Sequence, residues 1–138
     1  MMKKYEYLEH TADTKFRAYG ENREETFTNA ALAMMNVMVD TSKVKAISTK
    51  HITATGDDMP ALLQNFLEQF LILLDSENLF LVEVKKITIK GDRGDYTLSA
   101  EVAADDAGKY ETIGPQVKAV TYNNMIVEDK MVQVVLDI

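Results

Sequence analysis

The spacing of apolar residues predicts a first helix in the N-terminal third of the chain. Asn22 is a good N-cap, and Glu25 completes a capping-box pattern three residues later. The helix is expected to end near Val39 or Asp40. Its apolar positions recur at helical spacing and are Phe27, Ala31, Met34 and Met38.

A second helix is predicted after Asp57 and Asp58, with Pro60 in its first turn, where proline is tolerated. The buried face of this helix is expected to consist of Leu63, Phe66, Leu67, Phe70 and Leu74.

The other segments alternate between apolar and polar residues, which is typical of strands. Within residues 79–90 the apolar positions change parity, which predicts a β-bulge at Lys85 and Lys86. The last two strands are expected at residues 117–122 and 131–138, joined through Asn123, Asn124 and residues 128–130. Further strands are predicted near residues 15–19, 46–55 and 96–102.

Strands grouped around two helices predict an α+β fold. We expect a two-layer sandwich in which both helices pack on one face of a mostly antiparallel sheet. A chain of 138 residues is long enough for one hydrophobic core, and no linker divides it, so residues 1–138 are expected to form a single domain.

Composition and charge limit the classes of partner. The formal net charge is −7, from 22 acidic and 15 basic residues, so the chain lacks the basic footprint of most nucleic-acid-binding domains. A role in RNA metabolism would then involve a protein that holds the RNA, without direct nucleic-acid binding. The chain has no cysteine, no secretory signal pattern and no apolar run of membrane-spanning length, so no membrane association is expected.

The end of the chain suggests a metal site. Alternation places Asp137 on the strand face opposite Val134 and Leu136, and the strand runs to Ile138, so the α-carboxylate lies near the Asp137 side chain. Two adjacent carboxylates repel each other unless a cation lies between them, and oxygen ligands favour Ca²⁺ or Mg²⁺. If Asp13 reaches the same point, calcium is preferred, because it accepts more ligands and irregular geometry. Alternatively, Asp137 is a solvated strand end and residues 9–13 form an ordinary turn.

Lys118 and Tyr122 share a parity with Val120 and are expected to project on one face, where they could meet a partner. An exposed strand lysine can equally serve to prevent edge-to-edge pairing. Catalysis is not expected, because the chain has no Walker A, GxGxxG, HExxH or GxSxG sequence. Four further acidic residues are assigned to turns, namely Asp92, Asp95, Asp105 and Asp106.

The order of several short segments resembles the archease family over essentially the whole chain. The first two are Tyr5-Glu6-Tyr7-Leu8-Glu9-His10-Thr11-Ala12-Asp13 and Arg17-Ala18-Tyr19-Gly20. The others are Ala30-Ala31-Leu32-Ala33-Met34, Lys118-Ala119-Val120-Thr121-Tyr122 and Val134-Val135-Leu136-Asp137-Ile138. The sequence departs from the family pattern at Thr14, where a small aliphatic residue is common, and at Lys15, which is charged. It also departs at Asn123, where a histidine is frequent.

This resemblance implies a cytoplasmic, non-catalytic helper of the RtcB-type RNA ligase in tRNA splicing. Archeases promote guanylylation of that ligase and support its multiple turnover. The resemblance also implies a Ca²⁺ site at Asp13, Asp137 and Ile138, and it makes His10, Lys118 and Tyr122 candidates for partner binding. The alternative implied by the family is a chaperone or specificity modulator of a tRNA cytosine-5 methyltransferase.

Overall fold

The computed structural model describes residues 3–9 and 13–138. The helices within these residues are α1 (Arg23–Met38) and α2 (Met59–Glu77). The strands are β1 (Tyr5–Leu8), β2 (Thr14–Tyr19), β3 (Ser48–Gly56), β4 (Leu79–Asp92), β5 (Asp95–Asp106), β6 (Ala119–Val127) and β7 (Met131–Asp137).

Both helices begin at the caps that the sequence predicts. The Asn22 side chain accepts a 2.8 Å hydrogen bond from the main-chain N–H of Glu25 at the start of α1. The Asp58 side chain accepts an equivalent 2.8 Å bond from the N–H of Ala61 at the start of α2. Each bond satisfies a donor that the first helical turn leaves unpaired, so both helix predictions are confirmed.

The α+β prediction is confirmed, and the strands divide between two antiparallel sheets. One sheet has the order β1-β2-β7-β6, and the other has the order β3-β5-β4. The pairing of β4 with β5 shifts register between Val84 and Lys86, which confirms the predicted bulge. A second shift lies between Leu81 and Glu83, and together the two irregularities let a long strand keep its apolar residues on the core.

One hydrophobic core joins both helices to both sheets. The rings of Phe27 in α1 and Phe66 in α2 are stacked with their centroids 6.1 Å apart, and Phe66 meets Phe70 edge-on at 5.2 Å. From the sheet side, Phe16 of β2 is fully buried in the same cluster. Burying such a side chain stabilises the fold by about 1.5–3 kcal/mol. Neither described helix has the length and apolarity that crossing a bilayer requires.

Asp105 is a buried residue at the end of β5, and the assignment of this aspartate to a turn was wrong. Its carboxylate accepts hydrogen bonds from the Tyr110 hydroxyl and, at 2.9 Å, from Lys109 Nζ. These bonds, that of Tyr110 foremost, hold the pKa of the Asp105 carboxyl below its usual range. The Tyr110 oxygen in turn accepts a 3.1 Å bond from the Lys45 N–H, so this carboxylate fastens two connecting segments to the sheet.

Candidate functional site

The pairing of β2 with β7 brings the beginning and the end of the chain together. The strands are antiparallel, and their ladder runs from Tyr19 opposite Met131 to Thr14 opposite Leu136. Asp13 directly precedes Thr14, and Asp137 directly follows Leu136. The two aspartates therefore lie at the same end of the same ladder, although they are far apart in sequence.

The main chain around Asp137 is held from the β6 side. Ala119 is the ladder partner of Asp137 in β6, and the N–H of Lys118 donates a 2.7 Å hydrogen bond to the Asp137 carbonyl oxygen. The side chain of Ile138 packs against the hydrophobic core. These contacts fix the backbone at the last two residues, whereas the Asp137 side chain is exposed. The result is a rigid strand end that presents a carboxylate to solvent.

The chemistry of the available donors suits a hard cation. Asp13 is half-buried and Asp137 is exposed, and both offer only carboxylate oxygens. No group of three histidine, aspartate or glutamate side chains in residues 3–9 and 13–138 is arranged to hold a metal. The calcium ligands expected from the sequence are not three side chains, because the third ligand is the main-chain carboxylate of Ile138. His10 lies outside the described residues.

A large bulge in β6 lies beside this strand end. Thr121 pairs with Val135, and the next paired residue of β6 is Ile126, opposite Gln133. Residues 122–125 therefore face a single residue of β7, and Asn124 adopts a left-handed conformation with φ 53°. The sequence pattern predicts Asn123 and Asn124 as part of a loop between strands. That assignment was wrong, because the strand continues beyond them to Val127.

The bulge is hydrogen-bonded to a residue on the sheet face that points away from the helices. The Gln133 side chain donates a 2.8 Å hydrogen bond to the Asn124 carbonyl oxygen and accepts a 2.9 Å bond from Arg17 Nε. Gln133 is only 4% exposed and Val135 is fully buried, although both lie on this outer face. The link from Arg17 through Gln133 to Asn124 was not predicted from the sequence. An isolated glutamine in an alternating strand has the pattern of a solvated residue, so no sequence signal indicated it.

The candidate partner-binding residues Lys118 and Tyr122 lie on either side of the regularly paired part of β6. Val120 is buried in the core, whereas Lys118 and Tyr122 are exposed. Lys118 precedes β6 and Tyr122 begins the irregular segment, so the regular alternation on which the expectation of one shared face depends does not extend over all three residues. Lys118 and Tyr122 nevertheless remain close in sequence to the strand residues that flank Asp137.

Comparisons with known proteins agree in a single family. A sequence model of the archease protein family matches residues 5–138. The chain is 40% identical over 144 residues to the protein archease of Methanosarcina mazei, covering 99% of this chain and 97% of the relative. It is 36% identical to the protein archease of Pyrococcus abyssi, covering 92% and 89%. The solution structure of Methanobacterium thermoautotrophicum protein 1598 superposes with a TM-score of 0.79 at 34% identity, covering 99% of this chain and all of that one.

Proposed function

The chain belongs to the archease family, and from this premise we propose that it is a non-catalytic, calcium-binding accessory protein of the cytoplasm. Its partner is the RtcB-type RNA ligase of tRNA splicing, whose guanylylation and turnover it promotes. The observation that carries the proposal is the ladder between β2 and β7, which brings Asp13 and Asp137 to one end of one sheet.

The proposed calcium ligands are the side chains of Asp13 and Asp137 and the carboxylate of Ile138. These groups are all hard oxygen donors, and they come from adjacent strand ends, which fits the ligand preference of Ca²⁺. Bound calcium would offset the repulsion among the carboxylates and so join the start of β2 to the end of β7.

The chain itself contributes a pre-organised surface around this end of the sheet. The Lys118 N–H holds the Asp137 carbonyl oxygen, and the Ile138 side chain is anchored in the core, so little of this backbone has to be ordered when a partner binds. We assign the contacts with the ligase to the exposed side chains of Lys118 and Tyr122, and to His10 at the start of the chain.

Activation is a population shift of the ligase. If the surface around Asp137 binds the guanylylation-competent conformation of the ligase more tightly than other conformations, it raises the population of that conformation. No group of this chain then has to take part in the covalent step. The affinity difference between the two ligase conformations sets the limit on the activation.

The decisive experiment measures guanylylation of the cognate ligase with and without this chain. We expect the wild-type chain to accelerate guanylylation and both Asp13→Ala and Asp137→Ala to lose most of that effect. Asp92→Ala, which removes an exposed carboxylate from the β4–β5 hairpin, is the matched control and should act like the wild type. A wild-type chain without effect on the ligase, but with an effect on the specificity of a tRNA cytosine-5 methyltransferase, would replace this proposal with the alternative.

A further inference from the structure

A groove runs between the outer side of α2 and the segment formed by residues 112–118. It consists of two adjoining cavities of about 480 and 380 Å³, and both are lined by Asp75 of α2 and Gln116 of the segment. Apolar side chains, including Leu74 and Phe80, line the first cavity. Lys118 lines the second cavity, and its main-chain N–H bonds to the carbonyl oxygen of Asp137, so the groove lies beside the proposed calcium site.

The wall of the groove opposite α2 is firmly attached to the rest of the fold. The N–H of Ile113 donates a 2.8 Å hydrogen bond to the carbonyl oxygen of Met38 at the end of α1. Gly114 lies so close to α1 that an added Cβ would be 2.3 Å from the Val37 carbonyl oxygen. Val117 is buried in the core. The groove is therefore preformed, and a partner would not have to order this segment in order to bind.

The wall of the groove formed by α2 has apolar side chains that the hydrophobic core does not bury. Residues 70–74 of α2 are apolar without interruption, a pattern of helices that are buried on all sides. Phe70 is buried, but Ile72 is 52% exposed and lines the second cavity. An exposed apolar side chain in a concave, preformed site is a feature of interaction surfaces.

Acidic residues flank this apolar position. Glu68, Ile72 and Asp75 follow the i, i+4, i+7 spacing of one helix face, and all three line the second cavity. Glu68 is half-buried, and its Oε2 accepts a 3.2 Å hydrogen bond from the N–H of Val120. Burial raises the pKa of the Glu68 carboxyl, so its charged form would gain from a cation brought by a partner. The face thus combines an apolar centre with carboxylates on both sides.

We infer that this groove docks a segment of the ligase in which an apolar side chain is flanked by lysine or arginine. The apolar side chain packs beside Ile72, and the basic side chains meet Glu68 and Asp75. This inference rests on the proposed function and adds a second contact to it, separate from the carboxylates at the chain ends. Docking here would bring the ligase onto the same edge of the molecule as Lys118 and Asp137.

The test measures binding of the purified cognate ligase to single variants of the full chain. Ile72→Asp should weaken binding by about tenfold or more, as expected for a central apolar contact. Ile47→Asp is the control, because Ile47 is 62% exposed and lines neither cavity. Asp75→Lys should also weaken binding, and Asp92→Lys, at the β4–β5 hairpin, should not. The loss caused by Asp75→Lys should shrink as salt is added, because salt screens exposed charges.

The absence of cysteine from the chain permits a second, independent measurement. Ile72→Cys and Ile47→Cys each provide a single thiol for attachment of a photo-crosslinking maleimide. We expect the ligase to be crosslinked from position 72 and not from position 47. Calcium affinity should equal that of the wild type in every groove variant, which shows that the fold and the chain-end site are intact.

The outcomes separate the two ideas. A wild-type chain that stimulates the ligase, with Ile72→Asp and Asp75→Lys binding as tightly as the controls, would overturn the groove and leave the proposed function standing. Crosslinking from position 47 alone would also overturn it. A wild-type chain that neither binds nor stimulates the ligase would defeat the proposed function, and the docking inference with it.

Discussion

Gln133 fastens the bulge of β6 to the outer face of the sheet through a 2.8 Å hydrogen bond from its side-chain amide to the carbonyl oxygen of Asn124. The side-chain carbonyl oxygen of Gln133 accepts a hydrogen bond from Arg17 Nε, so one buried glutamine joins β2, β7 and β6. The bulge lies beside the strand end that carries Asp137. Gln133 therefore holds three neighbouring strands together in the sheet that carries the proposed site.

Replacing this glutamine with a residue of similar length tests the link. Gln133→Met should lower the free energy of unfolding by about 1–3 kcal/mol, because it removes two side-chain hydrogen bonds, one of them from a charged guanidinium. Amide hydrogens of residues 122–125 should also exchange faster. Urea denaturation and hydrogen exchange measure the two effects. Asn123→Ala, which alters an exposed side chain of the same bulge, is the control, and equal exchange in both variants would contradict the link.

Calcium binding should depend on both the penultimate side chain and the terminal carboxylate. Asp137→Asn should weaken calcium binding by about tenfold or more, because ligand charge sets the affinity of such sites. A short Gly-Ser extension after Ile138 should weaken it comparably, since it converts the carboxylate into a neutral amide. Titration calorimetry measures both variants, with Asp92→Asn as the control. Undiminished affinity in the extended chain would remove Ile138 from the ligand set.

Removing calcium should lower the thermal stability of the wild-type chain. At a free calcium concentration of about a hundred times the dissociation constant, binding stabilises the folded state by about 2.7 kcal/mol. A chelator should therefore lower the midpoint of thermal unfolding of the wild type, and it should lower that of Asp137→Asn by at most about half as much, because a tenfold weaker affinity reduces the stabilisation to about 1.4 kcal/mol. A midpoint that the chelator does not move in the wild type would contradict calcium binding to the folded chain.

The lowered pKa of the Asp105 carboxyl predicts how the stability of the fold depends on pH. Its folded-state pKa is depressed, chiefly by the Tyr110 hydrogen bond and then by Lys109. The stabilisation is therefore complete above the ordinary aspartate pKa of about 4 and is lost as pH falls through the lower folded-state value. Tyr110→Phe should destabilise the protein at neutral pH, and the difference from the wild type should shrink on acidification. Denaturation at a series of pH values measures it, and a difference independent of pH would contradict the assignment.

The close approach of Gly114 to α1 predicts a cost for any side chain there. The added methyl group of Gly114→Ala would overlap the Val37 carbonyl oxygen, so we expect the free energy of unfolding to fall by about 1–3 kcal/mol. Gly108→Ala is the matched control, because its added Cβ would be 3.3 Å from a side-chain oxygen of Asp106. Chemical denaturation compares the two. A Gly114→Ala chain as stable as the Gly108→Ala chain would mean that the segment can move away from α1.

Local chemistry in the sequence was sufficient for the helices and for one irregularity. The caps Asn22 and Asp58 act within three residues of themselves, so their effect is visible in the sequence. The bulge near Lys85 was predicted because an extra residue reverses the alternation on which strand patterns depend. The hypothesis of carboxylates gathered at the chain ends needed only the strand parity of Asp137 and the resemblance of residues 9–13 to a known family.

Tertiary structure alone decided how the strands are shared between two sheets and which polar residues are buried. Gln133 alternates like a solvated residue, yet it is buried where its side chain bonds to Asn124 of the bulge and to Arg17 of β2. Asp105 is likewise a residue type that is common in turns, yet its carboxylate is buried and accepts a hydrogen bond from Tyr110. Helix caps and strand alternation depend on residues that are neighbours in sequence. Burial depends on which segments, distant in sequence, pack against the residue in the folded chain. The groove along α2 is of this second kind, since Ile72 meets residues 116–118 only after the chain has folded.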